Sequence, residues 1–297
     1  MVKNKSKAPV GASLVVLSSV FYASYGIWTK LMGSFFDGYT ASALRSILVV
    51  LTLLPIAIFR NRLEPLKINQ NWKSITGMFI GSLFTWGPLY YAIQQAGVGI
   101  SLTVSYACMV IGLFFFGWLF SNERFTKDKA IAALLGFLGL MLIFSPKSTG
   151  FNRLALGFAI ISGVSVALTM ICAKKQKYNA TQSTLILWIT SIFANFIMAF
   201  LLKESIPKIG LHIEWVYLVL FAIASVIASW SLVSGMKLID AGAAGILGLL
   251  EIVFGLVFGI ILFNEKLSTT IMLGASAIII ASAIPYIRDY NSKKGTL

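Results

Sequence analysis

The chain has 297 residues, 58% of them hydrophobic and 11% charged, with a formal net charge of +14. A soluble domain of this length carries about a quarter charged residues, so the composition excludes an ordinary soluble protein and points to one built inside a bilayer. The excess of Lys and Arg finds its counter-charge in anionic lipid headgroups; nucleic-acid binding is excluded because the apolar runs leave no soluble basic face.

A transmembrane helix needs roughly 20 predominantly apolar residues. Ten such runs follow one another, at about 11–30, 39–59, 73–93, 98–120, 128–145, 154–173, 183–202, 215–236, 241–263 and 268–287. The connections are short, so function must sit within the membrane. The first run follows the basic stretch MVKNKSK and contains small residues, Ala23 and Ser24, as a signal peptide would. It continues through Trp28 to full span length, and a retained first helix is expected. With alternating spans, 17 of the 24 Lys and Arg residues fall on the side of the termini and 6 on the other, Arg45 lying within a span. The positive-inside rule then places both termini in the cytoplasm, in a multi-pass protein of the cytoplasmic (inner) membrane. Cys108 and Cys172 both lie in apolar runs and suggest no disulfide.

The two halves match at an offset of about 143 residues. Gly99 falls on Gly242, Ser101 on Ala244, Ser105 on Gly248, Cys108 on Glu251 and Gly112 on Gly255, while SNERFT (121–126) and FNEKLS (263–268) match one residue out of step. Five spans per half turn the second half upside down, the inverted-repeat plan of many secondary transporters, which places a substrate site near the midplane. The expected fold is an all-α integral membrane protein with ten transmembrane helices in two inverted five-helix repeats, residues 1–148 and 149–297.

Helical residues three and four apart share a face. The ninth span carries Ala244, Gly248, Glu251, Gly255 and Gly259 on one stripe, and the fourth repeats it with Ser101, Ser105, Cys108 and Gly112. Similar stripes run along the first span (Ser18, Tyr22, Tyr25, Thr29), the third (Ser82, Trp86, Tyr90), the sixth (Ser162, Ser165, Thr169, Cys172) and the eighth (Ser225, Ser229). These six spans are the cavity candidates. Glycine stripes by themselves read first as helix packing surfaces. The aromatics carry polar tips that need partners at depth, and a wet cavity supplies them.

These residues resemble the drug/metabolite transporter superfamily, EamA type, over nearly the whole chain. The resemblance rests on SSVFYASYGIWTK (18–30), SALRSIL (42–48), YYAIQQAGVGIS (90–101) and the NER and NEK that close the fourth and ninth spans. It implies ten helices, cytoplasmic termini, a cavity mainly from helices 1, 3, 4, 6, 8 and 9, and movement of small organic metabolites. The family often has a proline after the Glu of the ninth helix; here LLEIVF has Ile252. Without proline the carbonyls near residue 248 are expected to stay in the helix ladder.

A charge at the bilayer centre costs roughly 2.5 to 3.5 kcal/mol on insertion scales, so Glu251 needs a reason. Proton coupling, contact with a substrate's ammonium group, and a protonated structural hydrogen bond are its three readings. Arg45 sits about six residues into the second span, where its stem reaches the outer headgroups by snorkelling; a structural anchor is expected. Lys30 is a rim residue, and Glu123 and Glu265 read as interfacial helix-end charges.

The leading function is a secondary transporter, an exporter or facilitator, for a neutral or zwitterionic metabolite such as an amino acid, or for an amphipathic cation. The substrate and coupling residues are Glu251, Trp86, Tyr90, Tyr22, Tyr25, Ser105, Cys108, Ser165, Thr169 and Ser229, with Arg45, Lys30 and Gly255 in structural or gating roles. An enzyme is disfavoured: the one His, His212, lies in a loop, and no metal-ligand spacing or nucleotide-binding glycine motif appears. The alternative is a non-transporting scaffold or lipid scramblase. No cofactor or metal is expected. The partners are the small-molecule substrate, the lipid bilayer and, on the coupling reading, protons, with the chain acting as a monomer.

Overall fold

The computed structural model describes residues 7–144, 153–205, 207 and 210–294, the stretch 286–294 by its backbone only. The boundary expected at 148 and 149 lies outside the described residues. The elements are α1 (Ala8–Ala23), α2 (Tyr25–Met32), α3 (Gly38–Phe59), α4 (Ile68–Ser121), α5 (Lys127–Ile143), α6 (Arg153–Lys175), α7 (Ala180–Leu201), α8 (Ile213–Met236), α9 (Ala241–Gly248), α10 (Leu250–Phe263) and α11 (Thr269–Lys294). All are helices, and no strand occurs among the described residues. Seven stretches among these residues are long and apolar enough to cross a bilayer, and Thr269–Pro285 is a shorter apolar helix.

Four of the expected spans differ in detail from plain separate helices: the third and fourth are joined in α4, and the first and ninth are interrupted. The 54 residues of α4 would extend about 80 Å at 1.5 Å per residue, more than twice the hydrocarbon thickness. They do not run straight. Gly97 has φ 81 and ψ 160, a conformation open to a residue without a Cβ, and the two legs on either side of it both pack on α6. Going up the first leg, Gly77, Gly81 and Thr85 meet Cys172, Thr169 and Ser162, whereas Ser105 and Gly112 of the second leg meet Ser162 and Ala167. The order runs against α6 in one leg and with it in the other, so α4 is a helical hairpin.

The first and ninth spans are each interrupted once. Between α1 and α2 the Ser24 hydroxyl donates to the Phe21 carbonyl (2.6 Å) and accepts from Trp28 Nε1 (3.2 Å). Between α9 and α10 the Leu249 N–H bonds to the Ile246 carbonyl, and the Ile252 N–H to the Leu249 carbonyl. These three-residue steps tighten the helix locally, which corrects the expectation of an undisturbed ladder near residue 248. Proline is absent, but Gly245 and Gly248 weaken the helix preference of this turn. Ser19 Oγ lies 3.3 Å from the Leu247 carbonyl.

The duplicated NER and NEK segments fold alike. Asn122 and Asn264 both adopt left-handed backbone (φ 51 and 53), a conformation Asn tolerates. The next N–H then reaches back to a glycine carbonyl, Glu123 to Gly117 and Glu265 to Gly259, each at 3.1 Å. Their surroundings differ. Glu123 pairs with Lys174, and its other oxygen accepts from the Ala241 N–H (2.6 Å), with only 7% of the side chain exposed. Glu265 holds Lys30 at 3.3 Å and is 54% exposed. Glu123 is thus a buried clamp on the ends of α6 and α9, contrary to the interfacial charge expected of it.

Packing follows small residues. The helix pairs are α4 with α6, α5 with α11, α3 with α7 and α1 with α8. A Cβ on Gly139 would lie 2.7 Å from the Gly274 carbonyl oxygen, and one on Gly274 would lie 2.6 Å from that of Gly139; such close approach is what small residues permit between membrane helices. The outer faces show Phe59, Phe200 and Ile261 at 87%, 84% and 68% exposure, a surface that suits lipid and not water.

Candidate functional site

A cavity of about 290 Å³ lies among the helices, near the lower end of the roughly 300 to 1,000 Å³ typical of small-molecule sites. Its walls come from α1 and α2, α3, both legs of α4, α6, α7, α8 and α10. Of the residues singled out from the sequence, Glu251, Trp86, Tyr22, Tyr25, Ser105, Thr169, Ser229 and Arg45 line it.

Ser82 and Ser162 of the stripes line it too, whereas five of the assigned site residues lie elsewhere. Tyr90 is beyond the cavity and 63% exposed. Cys108 faces α6, where a Cβ on Gly163 would lie 2.9 Å from its own. Ser165 is buried against the α4 seam and gives its carbonyl to the Thr169 hydroxyl (2.9 Å). Gly255 has open space where a side chain would project. Lys30 sits at the protein's edge, its ammonium 3.7 Å from the Phe263 ring centroid.

Glu251 begins α10 beside the irregular turn, and its Oε1 accepts from the Tyr106 hydroxyl at 2.9 Å. No cation pairs with it among the described residues. Tyr106 belongs to the face Leu102, Ser105, Tyr106 and Met109, which lines the cavity with the spacing of a helix face. The stripe of small residues on the same leg shares Ser105 with that face; Cys108 and Gly112 of it are where α4 touches α6.

Arg45 does not snorkel to the headgroups. It is 3% exposed and turned inward, with its guanidinium carbon 4.3 Å from the ring centroid of Phe221, 5.0 Å from Tyr25, 5.4 Å from Trp188 and 5.5 Å from Trp86. Aromatic faces stabilise a desolvated cation by about 2 kcal/mol or more, which explains how a buried Arg is held away from water. Trp188 is fixed in turn by its Nε1, which donates to Ser229 Oγ at 2.8 Å; that hydroxyl donates to the Ser225 carbonyl at 2.6 Å. Ser162 Oγ donates to the Thr85 carbonyl across the α4–α6 seam (2.7 Å).

The site therefore contains one carboxylate and one guanidinium that do not pair with each other, set among aromatic rings and hydroxyls. Tyr106, Trp188 and Ser191 belong to it without having been singled out. The seventh span did carry a signal: Thr184, Trp188, Ser191 and Asn195 are spaced four, three and four.

Comparison with known proteins accords with this arrangement. The EamA-like transporter family matches residues 9–145 and again residues 153–286. Mouse solute carrier family 35 member G1 is 22% identical over 96% of this chain and 81% of its own length. An S-adenosylmethionine uptake transporter of Rickettsia bellii is 23% identical over 92% of each chain. An uncharacterized transporter of Archaeoglobus fulgidus is 24% identical over 91% of this chain and 93% of its own. A solved crystal structure superposes with a TM-score of 0.76 at 16% identity, covering 93% of this chain and 96% of the other, which shows a shared fold.

Proposed function

Since the chain belongs to the EamA-like transporter family, twice matched along its length, and its relatives are membrane transporters of small molecules rather than enzymes, we propose that it is a secondary transporter of a small organic metabolite. It carries a zwitterion such as an amino acid, or an amphipathic cation, across the cytoplasmic membrane as an exporter or facilitator, with Glu251 as the coupling or substrate-binding carboxylate. The observation that carries this reading is a cavity built from helices of both family matches, with Glu251 inside it and, among the described residues, its side chain bonded only to a tyrosine hydroxyl. The S-adenosylmethionine taken up by the Rickettsia relatives joins an amino-acid group to a sulfonium cation, chemistry that a carboxylate among aromatic rings suits.

The membrane arrangement we propose has ten crossings in two inverted five-helix halves, with both termini cytoplasmic and one chain as the working unit. It counts each leg of α4 as a crossing and joins α1 to α2 and α9 to α10. The packing supports it: under the half-to-half relation α1 on α8 corresponds to the first leg of α4 on α6, while α3 with α7 and α5 with α11 map onto themselves. Alternating access is supported by the two duplicated turns. Glu123 clamps the cytoplasmic end, whereas the Glu265 side chain at the opposite end holds, among the described residues, only the exposed Lys30. Opening one clamp as the other closes would exchange the side from which the cavity is reached.

Glu251→Gln in proteoliposomes tests the reading. The variant keeps shape and hydrogen bonding but cannot titrate. Under proton coupling, exchange without a gradient survives and gradient-driven accumulation disappears. Under direct contact, binding weakens most for cationic and zwitterionic solutes. Wild-type gradient-driven transport by this variant would reduce Glu251 to a structural group, and no transport by the wild-type chain would favour a scaffold or scramblase.

A further inference from the structure

Among the described residues Arg45 is a charge without a hydrogen-bonding counterpart. It lines the cavity at 3% exposure, its Nε has no hydrogen-bond partner among the described residues, and no carboxylate pairs with it there. The four surrounding rings stabilise its charge through their π faces. Their faces offer no lone pairs to its five in-plane N–H donors, the Tyr25 hydroxyl makes no hydrogen bond to its Nε among the described residues, and buried polar groups without partners are rare in native proteins. The cavity's carboxylate does not fill this need: among the described residues no ion pair joins Glu251 to Arg45, and its Oε1 accepts from Tyr106 on α4.

The ligand chemistry that matches a guanidinium edge is a carboxylate, which accepts two parallel N–H bonds in one plane. Resting on the transporter reading above, we infer that Arg45 is the binding site for a carboxylate of the transported solute. The aromatic box holds the guanidinium in place so that its donors stay free for the solute, and Glu251 on the α10 wall is left to face a positive group. The substrate class is thereby narrowed to small organic zwitterions. Amines that lack a carboxylate fall outside it.

The test uses the full chain in proteoliposomes and pairs of solutes that differ only in the carboxylate: phenylalanine with phenethylamine, methionine with 3-methylthiopropylamine, and histidine with histamine, plus a neutral sugar. Counterflow is measured for the wild type, Arg45→Gln and Arg45→Lys. The expected result is transport of at least one amino acid well above its amine, a fall of about 30-fold or more in that preference with Arg45→Gln, as for truncation of one member of a buried charge pair, and partial retention with Arg45→Lys. Equal transport of acid and amine by the wild type would overturn the inference while leaving transport intact, as would a preference that survives Arg45→Gln. Loss of all solutes alike in a folded Arg45→Gln protein would return Arg45 to a structural role. Transport of none of the solutes by the wild type would count against both this inference and the proposed function. If Arg45→Gln does not reach the membrane, Arg45→Lys is read in its place: a reduced acid-over-amine preference supports the inference, and a preference equal to the wild type's overturns it.

Discussion

Replacing Gly163 by Ala places a methyl group in the seam between α6 and the second leg of α4. The new Cβ would overlap the Ser105 carbonyl oxygen and stand 2.9 Å from Cys108 Cβ and 3.0 Å from the Met109 nitrogen. Two of these three atoms are backbone, so no side chain can swing away and the helices must separate. Overpacking of this kind costs about 1 to 3 kcal/mol, while the gain in helix preference on going from Gly to Ala returns about 0.5 to 1 kcal/mol. The same helix supplies its own control, since a Cβ on Gly157 would meet nothing within 4 Å and Gly157→Ala should collect the gain alone. The two variants should therefore differ by about 1 to 3 kcal/mol, or about 2 to 5 °C in midpoint for a chain of this size. Thermal unfolding in detergent, followed by size exclusion, reads this difference. Gly163→Ala unfolding at or above the temperature of Gly157→Ala would refute the argument that glycines set the α4–α6 spacing.

Two further outcomes follow from single contacts. Trp188→Phe keeps a ring beside Arg45 but removes the 2.8 Å bond to Ser229 Oγ; the loss is about 1 to 3 kcal/mol for a buried bond, and an unchanged unfolding midpoint would show that the bond does not stabilise the fold. At the end of α8, burial pushes the Lys237 ammonium down to about 8 from 10.5, Glu64 acting to raise it and Lys174 to lower it. Between pH 8 and 10.5 the unfolded chain then binds more protons at this position than the folded one, so Lys237's contribution to stability rises with pH across that window. The unfolding midpoint of Lys237→Met should lack this rise relative to the wild type, and parallel pH profiles for the two proteins would sink the argument.

Apolar run lengths made the helix positions legible, because the bilayer imposes a length that composition alone reveals. The turn at Gly97 was legible as a gap between runs. The site was legible where a polar side chain was also large: Tyr22, Tyr25, Trp86 and Glu251 all reach the cavity. Ser105, Thr169 and Ser229 reach it too, whereas Tyr90 does not, and the small-residue stripe of the fourth span was only partly a cavity face. Cys108 and Gly112 fill the seam with α6, and the cavity face of that leg is displaced onto Tyr106, which lies one position past Ser105. On this leg the smallest residues mark where the helices touch, and the bulkier Tyr106 marks where they part. Arg45 was misjudged because position along a span says how far a side chain could reach but not which way it turns; the four rings that draw it inward come from α2, α4, α7 and α8, separated widely in sequence.

The hairpin of α4 belongs to the first family match, yet the helix it clasps, α6, belongs to the second; α8 to α10 belong to the second, yet α1, which packs on all three, belongs to the first. Each wall of the cavity is thus completed by a helix borrowed from the other half. The repeats in sequence therefore do not pack as two separate bodies, and the chain is laced together in the manner of two interlocked hands. Such lacing ties assembly of the cavity to completion of synthesis, because the first wall stays open until α6 has emerged, and the second is closed by the helix that was made first.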